Sequence, residues 1–131
     1  MKRFKPVFEF RDRKGILREV IRRDNWRQMN EAIRYKGQSS GHHYHKVDEE
    51  LFYVLSGKIQ VEIINIKTKE KTKFTAGPTE GFIVEPYEVH SFFYIEDTVL
   101  IAMHSLPFDK NNPDIYDYKP DQTDNNGHRR I

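Results

Sequence analysis

Between residues 37 and 104 the chain runs in short apolar segments, each cut off by turn-forming residues, and none sustains a helical period. Lys58 to Ile64 is the clearest. Ile59, Val61 and Ile63 fall on one side, and Lys58, Gln60 and Glu62 on the other. That two-residue repeat is the signature of a strand with one buried face. Ser56-Gly57, Asn65 to Glu70, Gly77-Pro78-Thr79-Glu80-Gly81 and Glu96-Asp97 supply turns between the neighbouring runs, which are Glu50 to Leu55, Lys71 to Ala76, Phe82 to Val84, His90 to Ile95 and Thr98 to His104. The lysines of Lys71 to Ala76 mark an edge strand. Many short strands with little helix predict an all-β fold, a single antiparallel barrel or jelly-roll-like sandwich.

The flanks are less regular. Val7 to Phe10 and Ile16 to Ile21 form a hairpin candidate across the turn Asp12-Arg13-Lys14-Gly15. A strand from about Met29 to Tyr35 competes with a helical reading, in which Asp24 caps a turn and Trp26, Met29 and Ile33 share a face. The expected organisation is N-terminal strands (residues 1–28) packing on or swapping into the barrel, the barrel itself (29–106), and a C-terminal extension (107–131). Lys36 to Gly41 is expected to be a loop. Pro113 to Tyr118 is expected to dock through its aromatic rings, whereas Asp121 to Arg130 has no apolar residue and is expected to be disordered from about 121.

Composition removes several classes. At 131 residues there is room for one domain. Lys and Arg total 22 against 20 acidic residues, interleaved along the chain, so nothing favours nucleic acid as a partner. There is no cysteine, hence no disulfide or thiolate chemistry. No leader-like apolar stretch follows Met1 and no segment approaches a membrane span, so a cytoplasmic location without membrane association is the expectation. Hydrophobic residues make up only 37%, but nine Phe, seven Tyr and one Trp enlarge a thin core.

Four residues carry the chemistry. His43 and His45 lie two apart, so on a strand both imidazoles aim at one point. Glu50 follows after room for a tight turn, and His90 stands at the head of a later strand. A lone histidine is more often core or surface than ligand. Three of them with a carboxylate suit one divalent cation such as zinc, iron, manganese or nickel. His42 has the wrong parity and is expected to face solvent, and Glu49 is read as a turn residue. Four-coordinate zinc would make the site structural; six-coordination would leave two positions for a substrate.

These residues resemble the cupin superfamily. Its first motif is a Gly, five residues, His-x-His, three or four residues, Glu, six residues and Gly, matched by Gly37, His43, His45, Glu50 and Gly57. Its second motif usually carries Pro-x-Gly-x-x-His. Here the stretch reads Glu85-Pro86-Tyr87-Glu88-Val89-His90, so Glu85 and Tyr87 replace the motif's Pro and Gly while His90 is kept. The resemblance spans roughly residues 29 to 106 and implies a small metal-holding β-barrel, often a homodimer. Asp12 to Leu17 is similar to a stretch of sugar-nucleotide epimerases. Leu106-Pro107-Phe108 with Pro113 to Tyr116 looks like the end of cupin domains from capsular polysaccharide enzymes.

On a keto-sugar substrate the acid–base candidates are residues sharing the metal's face. Counting by twos from His90 brings in Phe92 and Tyr94, and the last strand offers Leu100, Ala102 and His104. Tyr94 and His104 are therefore the catalytic candidates. Phe52 and Val54 are read as packing and Tyr53 as opposite-face core or interface. Arg13 and Lys14 are either a phosphate contact or a solvated turn. The leading expectation is a metal-dependent isomerase or epimerase acting on a sugar or sugar nucleotide. An iron-dependent dioxygenase and a non-catalytic small-molecule-binding module are the alternatives.

Overall fold

The computed structural model describes residues 1–23 and 25–119. The expected cap at Asp24 and the expected disorder from about 121 lie outside the described residues. Regular structure among these residues is all strand: β1 (Lys2–Phe4), β2 (Phe8–Asp12), β3 (Gly15–Glu19), β4 (Gln28–Arg34), β5 (Ser39–Tyr44), β6 (Glu50–Ser56), β7 (Ile59–Asn65), β8 (Lys71–Ala76), β9 (Gly81–Val84), β10 (Glu88–Tyr94), β11 (Thr98–His104) and β12 (Tyr116–Asp117). No helix among them is long and apolar enough to cross a membrane.

Two five-stranded sheets face each other, ordered β1-β9-β6-β11-β4 and β12-β5-β10-β7-β8, and β2-β3 forms a separate hairpin. Every pairing is antiparallel. The alternation read at 58–64 holds, since Ile59, Val61 and Ile63 are buried while Gln60 and Glu62 are half-buried. These side chains meet Phe52, Val54, Phe82, Leu100 and Phe92 between the sheets, in one core. The Phe52, Phe82 and Phe92 rings interlock at centroid distances of 4.8 to 5.7 Å.

The competing reading at residues 28–34 resolves as a strand. β4 pairs with β11 along its whole length, Thr98 opposite Arg34 and His104 opposite Gln28, so ladder bonds override the helical spacing of Trp26, Met29 and Ile33. The loop expected at Lys36 to Gly41 is shorter, because Ser39, Ser40 and Gly41 already pair with Phe93, Phe92 and Ser91. The outer face of the first sheet carries Leu51, Tyr53 and Ile83, covered by Phe4, Val20, Ile21 and Trp26. Tyr53 thus sits on the face opposite Glu50, stacked on Phe4 at 6.3 Å.

Candidate metal and acid–base site

Strand register builds the site. His43 on β5 lies directly opposite His90 on β10. Glu50 at the start of β6 lies directly opposite His104 at the end of β11. One pair belongs to each sheet, and both point inward at the same end of the barrel.

A β-bulge sharpens the first pair. The β5–β10 register shifts between His90 and Ser91, which leaves His42 as the extra residue. His42 is exposed with φ 63°, and its Nδ1 lies 3.1 Å from Ser91 Oγ, away from the cluster. Gly41 allows the close approach: its φ is 92°, and a Cβ there would collide with the His90 carbonyl oxygen. Tyr87, standing where the cupin motif has Gly, also takes a left-handed conformation at φ 66°. A non-glycine residue there carries a small conformational cost. Its ring stacks on Tyr44 at 6.1 Å and lies under Lys67 Nζ at 4.0 Å, contacts a glycine would forgo.

Glu50 is the hub. Its Oε1 lies 3.1 Å from His45 Nε2 and 3.5 Å from His90 Nε2. Its Oε2 lies 3.3 Å from His104 Nε2. The second nitrogen of each ring is already committed. His45 Nδ1 donates to the Asp114 carbonyl at 2.6 Å, His90 Nδ1 to the Glu88 carbonyl at 3.3 Å, and His104 Nδ1 to Asp48 Oδ2 at 2.6 Å. With each Nδ1 committed as a donor, every Nε2 faces the carboxylate with either an added proton or a lone pair, so the cluster accommodates positive charge as protons or as a cation. His90 Nε2 is buried with no hydrogen-bond partner among the described residues. Candidate ligand atoms of His43, His45, Glu50 and His90 all lie within 4.8 Å of one another. Three nitrogens, one oxygen and an orphaned buried nitrogen fit a borderline divalent cation.

The ionisation pattern follows from this crowding. Burial, with the neighbouring His90 and His45, pushes His43 down to about 3. Burial also opposes charge on His45 and His104, but it is outweighed: Glu50 raises His45, and Asp48 with Glu50 raises His104. Burial likewise opposes charge on Glu50, yet the His45 hydrogen bond and the adjacent His90 and His104 imidazoles hold it well below the usual carboxylate range. From the ordinary histidine value of 6.5 down to about 3, the unfolded chain holds an extra proton on His43, so stability falls with acidity. Below 4.5 Glu50 adds to that fall. Above 6.5 the folded protein holds extra protons on His45 and His104, so stability falls as pH rises. Thermal unfolding of chelator-treated protein from about pH 4 to pH 9 is therefore expected to peak near pH 6.5, and saturating zinc is expected to reduce the alkaline fall by removing the contribution of His45. A monotonic rise to alkaline pH without metal would contradict these assignments.

Asp48 and Asp114 did not emerge from the sequence as site residues. Asp48 is buried, and besides His104 it accepts from Leu106 N at 3.0 Å and Ser105 Oγ at 3.2 Å. The signal available was its parity with Glu50, two residues on. Glu49 points elsewhere, pairing with Arg23 at 3.1 Å. Tyr94 is buried, and its hydroxyl lies 2.6 Å from Ser40 Oγ. It lines an inner cavity of about 210 Å³ with His43, Glu50 and His90. His104 lines a second cavity of about 470 Å³ with His43, His45, Glu50 and Asp48. Arg34 borders both and makes no ion pair among the described residues. Arg13 and Lys14 sit on the exposed β2–β3 turn, where Lys14 Nζ lies 3.7 Å from Asp12, and line neither cavity.

Two facing antiparallel sheets, with the histidine–glutamate cluster at one end between them, define a cupin. More narrowly, the model of the polysaccharide biosynthesis C-terminal domain matches residues 10–116, and the chain belongs to that family. Among solved structures it resembles dTDP-4-dehydrorhamnose 3,5-epimerase from Sulfolobus tokodaii, at TM-score 0.72 and 21% identity over 83% of this chain and 72% of that one. It also resembles the sugar 3,4-ketoisomerase QdtA from Thermoanaerobacterium thermosaccharolyticum, at TM-score 0.71 and 20% identity over 86% and 84%. A third likeness is to the capsular polysaccharide assembling protein CapF from Staphylococcus aureus, at TM-score 0.66 and 24% identity. That match covers 87% of this chain and 34% of CapF, so the chain spans about a third of that protein's length. At these identities the likenesses establish the fold. A comparison with curated protein sequences finds no match.

Proposed function

We propose that this chain is an isomerase or epimerase of a nucleotide-linked keto sugar, with a divalent cation held by His43, His45, Glu50 and His90. The observation that carries the reading is His104. Its ring is fixed by buried Asp48 and faces, beside Glu50, a cavity large enough for a sugar. A bound cation would polarise a carbonyl oxygen and acidify the neighbouring C–H. His104 Nε2 takes that proton. The new imidazolium is stabilised by Asp48, and the electron pair of the broken C–H bond moves into the enolate. Protonation of the same carbon on its other face by a second acid gives an epimer; protonation of the former carbonyl carbon, with loss of the neighbouring hydroxyl proton to form the new carbonyl, gives an isomer. Tyr94 is the second proton-handling candidate, reaching the ligand from the inner cavity. Arg34, which borders both cavities without an ion pair among the described residues, suits the diphosphate of a nucleotide sugar.

The relatives support this choice, since one is by name an epimerase of a dTDP-linked sugar and another a ketoisomerase bound to TDP-4-keto-6-deoxyglucose. The test is incubation with a TDP-linked 4-keto-6-deoxy sugar in deuterated water. Deuterium entering at a carbon beside the carbonyl is expected. Oxygen consumption with iron bound would favour a dioxygenase instead, and binding without exchange a non-catalytic module.

A homodimer is part of the same proposal. The hairpin has one polar face, where Glu9 pairs with Arg11 and Arg18, and one apolar face of Phe8, Phe10 and Leu17, each more than half exposed. Met29 and Ile33 on edge strand β4 are exposed as well. Such surface is characteristic of an interface. Phe10→Ser with Leu17→Ser is expected to convert a dimer to a monomer in light scattering; a wild-type monomer at working concentration would contradict the proposal.

A further inference from the structure

The segment after the barrel is tied to the ligand-bearing strand at every step. The Asp114 carboxylate accepts three consecutive backbone N–H groups, from Lys46, Val47 and Asp48, at 2.9, 2.9 and 2.8 Å. The Asp114 carbonyl accepts the His45 Nδ1 proton. β12 then pairs with β5, Tyr116 opposite Tyr44 and Asp117 opposite His43. The Tyr116 ring stacks on Tyr44 at 5.5 Å, and Lys46 Nζ lies over Tyr116 at 4.2 Å. Residues 45–49, which link the His-x-His strand to Glu50, are therefore shaped from outside the barrel.

We infer that Asp114 is a positioning residue for the cation site, with its side chain folding the 46–48 loop and its carbonyl holding His45 in the Nδ1–H tautomer that presents Nε2 to the cation. A histidine ligand needs its other nitrogen fixed by an acceptor, and loss of such a partner typically weakens metal affinity about 10–100-fold. Here one residue fixes the tautomer and also the loop from which Asp48 reaches His104. The inference rests on His45 being a ligand, as proposed above, but its consequence for the ring does not require the ion.

The test uses the full chain as wild type, Asp114→Ala, Asp114→Asn and a control, Thr98→Val, which removes hydroxyl bonds to Lys58 and Glu96 at the far end of β11. Two quantities are read: zinc affinity by competition with a chromophoric chelator, and the His45 tautomer by long-range nitrogen–proton NMR of the metal-free protein in alkaline buffer. Wild type is expected to hold the Nδ1–H form. Asp114→Ala is expected to lose its dominance and to bind zinc about 10–100-fold more weakly. Asp114→Asn, which keeps one acceptor oxygen, should fall between, and Thr98→Val should leave both readouts unchanged even where it lowers the melting temperature. Affinity within twofold of wild type and an unchanged tautomer in Asp114→Ala would overturn the inference. If wild type binds no metal, the ligand assignment fails and the tautomer comparison alone decides the role of Asp114. If Thr98→Val weakens zinc equally, the effect is one of global stability and the inference fails.

Discussion

Replacing His104 by Gln is expected to lower turnover of a nucleotide-linked keto sugar by about 10²–10⁴-fold while leaving bound metal at the wild-type level. Glutamine can still donate to Asp48 but cannot take and return a proton. The separation of the two readouts follows from geometry. His104 Nε2 contacts Glu50 Oε2, whereas His45 and His90 face Oε1. The carboxylate thus separates His104 from His45 and His90, with a different oxygen turned to each side. The pair Asp48–His104 is internal to the barrel, and Asp48 is anchored by Ser105 and Leu106 as well. Asp48→Asn should accordingly reduce turnover in the same direction, by exchanging the acceptor that holds Nδ1–H for an amide. Equal turnover in wild type and His104→Gln would move the proton transfer elsewhere, with Tyr94→Phe as the next substitution to measure.

Glu50→Ala is expected to bring bound metal below about a tenth of an ion per chain and to abolish activity with it, since the proposed ligand set loses its one anionic member. The same change leaves His45, His90 and His104 without the carboxylate that their Nε2 atoms surround. Removing one partner of a buried charged cluster costs about 3–5 kcal/mol when the remaining charges are uncompensated. The variant should therefore melt well below wild type near neutral pH, and the deficit should shrink in alkaline buffer as His45 and His104 give up their protons. Glu50→Gln keeps the shape and isolates the charge: its metal content should match Glu50→Ala. Metal retained in both variants would remove Glu50 from the ligand set.

Much of this architecture could be read along the chain because it is local. The alternation at 58–64 and the turn residues around it specify strands without reference to partners. His43 and His45 share a face through strand parity, even though the bulge at His42 resets the ladder just before them. Features set by distant partners were invisible. Lys2 to Phe4 reads as a charged terminus, yet it pairs with β9 because Phe4 packs on Tyr53 and over Gly81, where any side chain would collide with its ring. The docking of Pro113 to Tyr118 through aromatic rings was legible, but β12 is two residues long, and its pairing with β5, with Tyr116 stacked on Tyr44, carries no pattern of its own. Asp48 and Asp114 are single carboxylates among many, and their roles depend on partners 56 and 66–69 residues away. The left-handed backbone at Tyr87 is what the motif's glycine would have announced, and the tyrosine conceals it.

Elemental analysis of protein purified without added metal, repeated after incubation with zinc, iron, manganese or nickel and removal of the excess, tests the central claim most directly. About one divalent ion per chain is expected in the wild type, falling far below stoichiometric in His45→Ala. Wild-type protein that neither carries nor takes up any of these ions would contradict it.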